Sequence, residues 1–378
     1  MYEILKPIST ELETYIQTLP KHSLGKTIDI HTSKSFPELD NVQIAFITVN
    51  ESRGTLLNSK EDINFDTLRK NWYQLFPGNW TSKMIDLGSI EAGESIEDTY
   101  VAVKLIVSDL LKKKILPIVI GGSQDITYGM YRSYDTQEQS VNLVCIDNKI
   151  DVVNDVVNPS ESFMTRIIME APTNLHNFSV LGYQTYFNSQ EEIDLIEKMY
   201  FEAYRLGEVI SNVKISEPVL RDADLVSLDC NAIKSADLGF FSHFNPNGFD
   251  GREICALARY AGLSDRVSSF GVFNIDNVSE KSLLITQILW YFVEGFNFRM
   301  NEYPYISKAN YLKYIVPLEE QELIFYKSDV SDRWWIEIEG LDNKDHKILF
   351  PCSHDDYKQA LQNIVPERWW LANKKLLA

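Results

Sequence analysis

Polar side chains follow an apolar run in the middle of the chain, at the point where a predicted strand ends. The run from Val141 to Ile146 leads into Asp147-Asn148-Lys149-Ile150-Asp151, in which two carboxyl groups lie four residues apart with a lysine between them. An apolar run of this length is typical of a strand buried in a parallel sheet. Open α/β sheets bind their ligands at the carboxyl ends of such strands, so we expect Asp147 and Asp151 to face a crevice.

Two further polar segments follow apolar runs in the same manner. Ile120 leads into Gly121-Gly122-Ser123-Gln124-Asp125, and Val226 leads into Ser227-Leu228-Asp229-Cys230-Asn231. Paired glycines allow a tight turn and a close backbone approach, which suits a loop at the edge of a ligand site. Because the carboxyl ends of parallel strands lie together, we expect all three segments to meet at the same crevice.

The elements that must position these residues predict an α/β domain over residues 41–305. Strand-like apolar runs alternate with helical patterns, which is typical of a doubly wound, mainly parallel sheet in a three-layer arrangement. The clearest helix is Ser95–Lys113, which has a broad apolar face. An acidic amphipathic helix is predicted over Ser189–Leu206. The long aromatic loop Lys234–Asp250 is more typical of a lid or pocket wall than of a plain connector.

The two ends of the chain differ from this pattern. Residues 1–40 form a predicted N-terminal extension, and residues 306–378 a small β-rich appendage with short alternating runs such as Glu322–Tyr326. The appendage contains two tryptophan pairs, at 334–335 and 369–370, which favour a core or a subunit interface over a carbohydrate or nucleic-acid platform. Both terminal segments offer extra surface on which a protein partner could bind.

Composition excludes several classes of partner. The formal net charge of −18 argues against nucleic acid, because phosphate binding needs clustered lysine and arginine. No apolar run is long enough to span a bilayer, and the N-terminus lacks the layout of a signal peptide, so no membrane insertion is expected. The four cysteines show no CxxC spacing and indicate buried free thiols rather than disulfides or a zinc site. These features predict a cytoplasmic protein.

The three polar segments resemble, in order and separation, motifs of the ureohydrolase family, which includes arginase, agmatinase and formiminoglutamase. That family carries Gly-Gly-Asp-His, Asp-x-His-x-Asp and Ser-x-Asp-x-Asp at these places. Residues 58–76, Gly251-Arg252-Glu253 and Phe273-Asn274 resemble further family segments, so the resemblance covers roughly residues 42–300. It implies an arginase-like fold, a homo-oligomer, and two manganese ions that activate water for attack on a guanidine or formimino carbon.

The sequence departs from the family at the metal-ligand positions. Carried over position by position, the six ligands fall on Gln124, Asp147, Lys149, Asp151, Asp229 and Asn231, so only three aspartates are kept. A protonated lysine has no lone pair and cannot bind a metal ion. Three carboxylates and one ammonium leave a net charge of −2 against the four positive charges of two divalent ions. The charges therefore disfavour a two-manganese centre.

Two cofactor states remain open from the sequence. Gln124, Asp147, Asp151 and Asp229 form an all-oxygen set that suits one hard cation, Mn²⁺, Mg²⁺ or Ca²⁺. In the alternative there is no metal, and the Lys149 ammonium relieves the repulsion among the three aspartates by occupying or adjoining the place of the second ion.

The resemblance also implies residues on the substrate side. Glu253 matches a glutamate that faces the cationic group of the substrate, with Arg252 beside it; the alternative is an acid that stabilises a helix N-terminus. His243 is the only histidine between the metal motifs and Glu253, and it is a candidate substrate contact or a packing residue of its loop.

Two functions follow from these departures. The first is a pseudoenzyme, an arginase-family protein that has lost the two-manganese centre and acts as a non-catalytic binding or scaffold protein. The alternative is an active C–N hydrolase, formiminoglutamase-like, with at most one metal ion. In that case the ion or Lys149 would polarise the substrate, and Asp151 or Glu253 would act as the base.

Overall fold

The computed structural model of the chain describes residues 2–55, 63, 65–137, 140–153, 158–239, 245–275, 283–302, 310–319, 321–339 and 347–377. His243 therefore lies outside the described residues. None of the described helices is long and apolar enough to cross a bilayer.

A sheet of ten strands forms the centre of the fold. Its strands are β1 (Leu5–Lys6), β2 (Asp29–Ile30), β3 (Ile44–Asn50), β4 (Met84–Glu91), β5 (Leu116–Gly121), β6 (Val141–Ile146), β7 (Leu175–Tyr183), β8 (Glu202–Arg205), β9 (Leu225–Asp229) and β10 (Ser269–Phe273). Nine of them follow the order β1-β4-β3-β5-β10-β9-β6-β7-β8, while β2 pairs with β4. Every pairing is parallel except that of β1 with β4. The predicted mainly parallel sheet is confirmed.

Helices cover both faces of this sheet. They are α1 (Thr10–Thr18), α2 (Leu24–Thr27), α3 (Phe65–Tyr73), α4 (Ile96–Lys112), α5 (Ile126–Arg132), α6 (Phe163–Met169), α7 (Gln190–Lys198), α8 (Leu206–Ser211), α9 (Ser216–Arg221), α10 (Ser235–Leu238), α11 (Gly251–Leu263) and α12 (Leu283–Asn297). Successive residues of β3 belong to different hydrophobic clusters, Phe46 to one and Ile47 to the other. Since neighbouring strand residues point to opposite faces, the sheet is buried on both sides in three layers.

The strand register brings the C-terminal ends of β5, β6, β9 and β10 to the same edge of the sheet. Ile146 of β6 lies beside Leu228 of β9, and Asp229 lies beside Phe273 of β10. On the other side of β10, Val272 lies beside Ile120 of β5. The three polar segments therefore begin at the same level of the sheet.

One predicted helix is wrong over part of its length. The expected helix Ser189–Leu206 ends at Lys198, and the chain then turns through Tyr200, whose φ of 54° is left-handed. Residues 202–205 form β8, which pairs with β7, and α8 follows directly. The helical pattern continued across this break in the sequence, but pairing at the open edge of the sheet determined the conformation.

The C-terminal appendage has its own small sheet and core. Four antiparallel strands, β11 (Tyr311–Pro317), β12 (Glu322–Ser328), β13 (Trp334–Glu339) and β14 (Lys347–Cys352), precede α13 (His354–Leu361) and α14 (Glu367–Leu377). The expected β-rich character is confirmed. The two terminal helices were not predicted from the sequence. Three of the four paired tryptophans are buried, and Trp370 is exposed.

The terminal segments contact the central domain closely. β1 and β2 of the N-terminal extension add to the main sheet through β4. Arg368 of α14 is buried and pairs with Glu202 of β8 at 2.7 Å, while Arg221 of α9 donates to the Trp334 carbonyl at 3.0 Å. The domain boundaries at residues 40 and 305 stay a prediction, although both terminal segments lie directly on the α/β domain.

Candidate functional site

The three aspartates that the sequence singled out lie together at the carboxyl ends of β6 and β9. Asp147, Asp151 and Asp229 are all buried. Asp147 accepts a hydrogen bond from the backbone N–H of Lys149 at 3.0 Å, and its carboxyl is also hydrogen-bonded to that of Asp151. Asp151 itself has a φ of 60°, which is a left-handed conformation.

Burial and mutual repulsion shift the acidity of these groups. Burial raises the pKa of the Asp147 carboxyl to about 6. Burial and the negative charges of Asp147 and Asp229 raise the pKa of Asp151 well above its ordinary value. Burial and the charge of Asp147 also raise the pKa of Asp229, although donors on Asn231 and Asn274 oppose that shift. All three carboxyls are therefore harder to ionise than an exposed aspartate, and a proton held in the cluster is shared across the Asp147–Asp151 contact.

Two of the replaced ligand positions carry amides that donate to the aspartates. Gln124 Nε2 donates to Asp147 Oδ2 at 2.6 Å. Asn231 donates to Asp229 twice, from its backbone N–H at 2.7 Å and from Nδ2 at 3.4 Å. Each amide supplies a hydrogen-bond donor where the family has a metal ligand. Gln124 Oε1 is buried and has no hydrogen-bond partner among the described residues.

Lys149 has a different partner from the one that we expected. Its ammonium lies 2.5 Å from Glu161 Oε1, in a loop 12 residues further on, instead of within hydrogen-bonding distance of the aspartates. Burial alone would lower the pKa of Lys149, but the hydrogen bond to Glu161 and the charges of Glu161, Asp151 and Asp147 outweigh it and raise the pKa. The lysine therefore remains a cation, and its charge still acts on the carboxyl cluster from a short distance.

A cavity of about 340 Å³ opens over this cluster. Asp151 and Asp229 line it together with the Lys149–Glu161 pair. Amides supply much of the remaining wall, from Asn148, Asn158, Asn231, Asn245 and Asn274, and Phe187 adds an aromatic ring. The cavity is thus a polar site with acidic groups, one cation and many neutral donors and acceptors.

Asn274, Ser160 and Glu161 are site residues whose contacts the sequence did not reveal. Asn274 Nδ2 donates to Asp229 Oδ2 at 2.9 Å, and the backbone N–H of Asn274 donates to the Gly122 carbonyl at 2.5 Å. Ser160 Oγ accepts from the Gln124 backbone N–H at 3.2 Å. Asn274 could have been found from its position at the end of β10, whereas residues 160 and 161 lie in a short turn without any periodic signal.

Arg252 and Glu253 lie outside this cavity. Glu253 accepts a hydrogen bond from the Asp250 backbone N–H at 2.8 Å, and Asp250 accepts from the N–H of Glu253 at 2.9 Å. This reciprocal pair is a capping box at the start of α11. The Arg252 side chain is 94% exposed and contacts Asp250 at 3.4 Å. The helix-capping alternative thus has direct structural support, while substrate binding by these two residues stays a prediction.

The donor set does not fit two metal ions. At the positions that match the second ion, Lys149 brings a cation and Asn231 directs an N–H toward Asp229. Among the described residues, no group of three histidine, cysteine or acidic side chains is arranged to hold a metal ion. The oxygens at the first position, from the three aspartates and the unpartnered Gln124 Oε1, suit one hard cation by type, provided that the shared protons leave.

Comparison with known proteins places the fold in a family. The model of the arginase family matches residues 62–282, and the chain belongs to that family. The formimidoylglutamase of Lysinibacillus sphaericus is 22% identical over 231 residues, which are 57% of this chain and 71% of the relative.

Solved structures show the same fold at low sequence identity. The formiminoglutamase of Trypanosoma cruzi with Mn²⁺ superposes with a TM-score of 0.64 at 17% identity, covering 73% of this chain and 99% of that protein. For the formimidoylglutamase of Bacillus subtilis the TM-score is 0.63 at 15% identity, with 77% and 100% covered. The agmatine ureohydrolase of Thermoplasma volcanium gives 0.58 at 18%, with 76% and 97% covered.

Proposed function

We propose that this arginase-family protein is a non-catalytic binding protein, without a two-manganese centre, whose central cavity holds a small polar ligand. The observation that carries the proposal is the engagement of all three replaced ligand positions. Gln124 donates to Asp147, Asn231 donates to Asp229, and Lys149 pairs with Glu161. These contacts place two N–H donors and one ammonium at the positions where a two-metal centre would need ligands.

Charge supports the same conclusion. Two divalent ions would have to sit beside the Lys149 ammonium, which stays protonated because Glu161 raises its pKa. Two unit charges of like sign about 4 Å apart repel by about 4 kcal/mol at an effective dielectric of 20, and a divalent ion doubles that. The raised pKa of Asp151 instead favours a less negative cluster.

The cavity favours a ligand with a cationic, hydrogen-bond-donating end. Asp151 and Asp229 line it, and a cation placed there would restore their ionised form. The surrounding asparagine amides would hydrogen-bond the rest of a polar molecule. We infer that amidine or guanidine compounds, the class indicated by the names of the formiminoglutamase and agmatine ureohydrolase relatives, bind without being hydrolysed.

A second candidate is a C–N hydrolase that uses one divalent cation. The buried, unpartnered Gln124 Oε1 favours it, because such an atom needs a partner. Asp147, Asp151 and Asp229 would complete the oxygen set, and the bound ion would act as a Lewis acid. It ranks second because Asp151 would then hold the ion and Glu253 caps α11, so neither carboxylate is placed to act as a base.

Binding and turnover measured on one panel of compounds distinguish the two functions. Agmatine, arginine and N-formiminoglutamate would be titrated calorimetrically, and release of urea or ammonia would be followed in parallel with and without Mn²⁺. We expect binding of at least one compound and no turnover. Turnover that Asp229→Asn abolishes would establish the hydrolase, and failure of the whole panel to bind would contradict the proposed ligand class.

A reversion experiment isolates the three replaced positions. The triple variant Gln124→His, Lys149→His, Asn231→Asp restores family ligands, while Gln124→Asn, Lys149→Arg, Asn231→Gln changes the same positions without adding one. Only the first variant should gain manganese-dependent turnover. Gain of activity in both variants would show that the replaced ligands do not limit catalysis.

We further propose a cytoplasmic location and a homo-oligomeric state. The location is supported by Cys145, Cys230, Cys255 and Cys352, which are buried free thiols. Fractionation of cells that express the tagged chain tests the location, and light scattering of the purified protein tests self-association. Recovery with a membrane or secreted fraction, or a monomeric mass, would contradict these proposals.

A further inference from the structure

A second and larger concave site lies between the α/β domain and the C-terminal appendage. It has a volume of about 840 Å³ and is walled by α7, β8 and α14. We call it the C-terminal groove and define it by Ile193, Glu197, Tyr200, Tyr204, Glu208 and Trp370, which are among its lining residues. None of its described lining residues also lines the central cavity.

The wall that the appendage contributes is held firmly in place. Arg368, at the start of α14, is buried and pairs with Glu202 of β8 at 2.7 Å. The same guanidinium donates to the Pro351 carbonyl at 2.7 Å and lies 4.6 Å from the Phe350 ring. Further along α14, Lys375 donates to Asn177 of β7. These contacts fix α14 against the sheet edge, so the groove is a preformed feature of the fold.

Aromatic rings are available inside the groove. The rings of Tyr200 and Trp370 meet edge to face, with their centroids 6.0 Å apart. Trp370 is 44% exposed although its neighbour Trp369 is buried, so a large aromatic surface is left open at this place. The apolar side chains of Ile193 and Leu371 also line the groove and extend this aromatic surface. An exposed aromatic pair in a concave site is suited to alkyl chains and to cations over the rings.

The charge around these rings is predominantly negative. Glu197, Glu208 and Glu367 are exposed acids of the lining, and Lys198 is a base among them. The Lys374 ammonium of α14 also lies 5.7 Å from the centre of the Trp370 ring. Burial, together with repulsion from the nearby Glu367 carboxylate, raises the pKa of Glu208. A cation between them would remove this repulsion, so charge complementarity indicates a positively charged occupant.

We propose that the C-terminal groove binds a lysine- or arginine-bearing peptide segment of a partner protein. Basic side chains fit between the acids, and apolar side chains of the same segment fit against Trp370, Ile193 and Leu371. The groove is larger than one small amine, and such an amine would leave the apolar part of the lining without a contact. This inference does not depend on what the central cavity binds.

Calorimetric titration with two defined peptides tests the proposal. The probe is acetyl-Leu-Lys-Leu-Arg-Leu-Lys-amide, and the comparison peptide carries glutamate at each basic position. The groove variant is Glu208→Gln/Glu367→Gln, and the control variant Glu191→Gln/Glu322→Gln changes the net charge equally at exposed acids outside the lining. We expect only the basic peptide to bind, roughly ten-fold more weakly to the groove variant and unchanged to the control.

A third variant tests the aromatic contribution. Trp370→Ala should also weaken binding, and the tryptophan fluorescence change on peptide addition should disappear in Trp370→Phe. Equal binding of the acidic peptide would overturn the proposal, as would an unchanged affinity of the groove variant. Spermidine binding with the affinity of the basic peptide would assign the groove to small amines and would also overturn it.

Discussion

The ammonium of Lys149 lies 2.5 Å from Glu161 and not within hydrogen-bonding distance of the three aspartates, although two of them flank it closely in sequence. The lysine brings a positive charge to this position, and its partner Glu161 lines the same cavity beside it. The aspartates instead accept hydrogen bonds from the amides of Gln124, Asn231 and Asn274. The stability of the site should therefore depend on pH and on the individual carboxyl groups.

The Lys149–Glu161 pair should contribute little to stability. Both side chains are about a third or more exposed, at 33% and 43%, and ion pairs of this kind are worth about 0–1 kcal/mol after solvent screening. Glu161→Gln should therefore lower the free energy of unfolding in urea by less than about 1 kcal/mol. A loss of several kcal/mol would show that the pair holds the cavity loop in place.

Asp151→Asn should stabilise the metal-free protein at neutral pH. Asparagine is uncharged like the protonated acid, can still donate to Asp147, and adopts the left-handed conformation of φ 60° readily. A gain of about 0.5–2 kcal/mol is typical of such a substitution. Urea unfolding in the presence of a chelator measures it, and a clear loss of stability at pH 7.5 would contradict the raised pKa of Asp151.

The stability of the metal-free protein should also depend on Asp147 in a defined pH window. Its pKa is raised from 3.8 to about 6. Its stabilising contribution is therefore fully present below pH 3.8 and is lost as the pH rises through about 6. Asp151, whose pKa is also raised, adds a loss of the same sign, and the stability difference between Asp151→Asn and the unchanged protein isolates that part. That difference should grow between about pH 5 and pH 7.5, and a constant difference would contradict it.

Gly122→Ala should disrupt the loop that carries Gln124. A Cβ atom at Gly122 would lie 2.1 Å from the Glu51 carbonyl oxygen, so the backbone would have to shift. We expect a loss of about 1–3 kcal/mol in unfolding free energy. Gly207 in α8 is the control, because a Cβ atom at that position would have no neighbouring atom within 4 Å, and Gly207→Ala should gain about 0.5–1 kcal/mol. Similar effects at the two glycines would contradict the close approach at Gly122.

Arg368→Ala should destabilise the protein far more than Arg252→Ala. Removing Arg368 leaves Glu202 buried without its counter-charge, and breaking a buried pair in this way costs about 3–5 kcal/mol. The Arg252 side chain is 94% exposed, so its loss should cost less than about 0.5 kcal/mol. Thermal unfolding of both variants measures the contrast, and equal melting temperatures would show that α14 does not depend on its buried ion pair.

The sequence predicted the main features of the fold and the identity of the acidic cluster. Asp147 and Asp229 could be placed because each follows an apolar strand, and parallel strands bring their carboxyl ends to one edge. A helical pattern in the sequence was less informative where strand pairing competed with helix formation. The strand β8 was missed because its residues continue a helical pattern, and their pairing with β7 is a tertiary interaction that no local pattern reports.

The partners of long side chains could not be predicted. Lys149 was expected beside the aspartates because its ammonium would relieve their repulsion, but its flexible chain reaches Glu161 in a turn that has no periodic pattern. Glu253 had two interpretations of equal standing from the sequence, and only the Asp250 capping box distinguishes them structurally. Site residues at strand ends can thus be identified from the sequence, whereas those on irregular loops are identified only from the structure.

The most direct test of the central claim is the manganese content per chain. The protein would be purified without chelator, dialysed against Mn²⁺, freed of excess ion and analysed by elemental analysis. If the replaced ligands have abolished the two-metal centre, the chain should retain no stoichiometric manganese. One ion per chain would shift the conclusion to the one-cation hydrolase. Two ions per chain would contradict the claim, because Lys149 would then have to be deprotonated or turned away from the site.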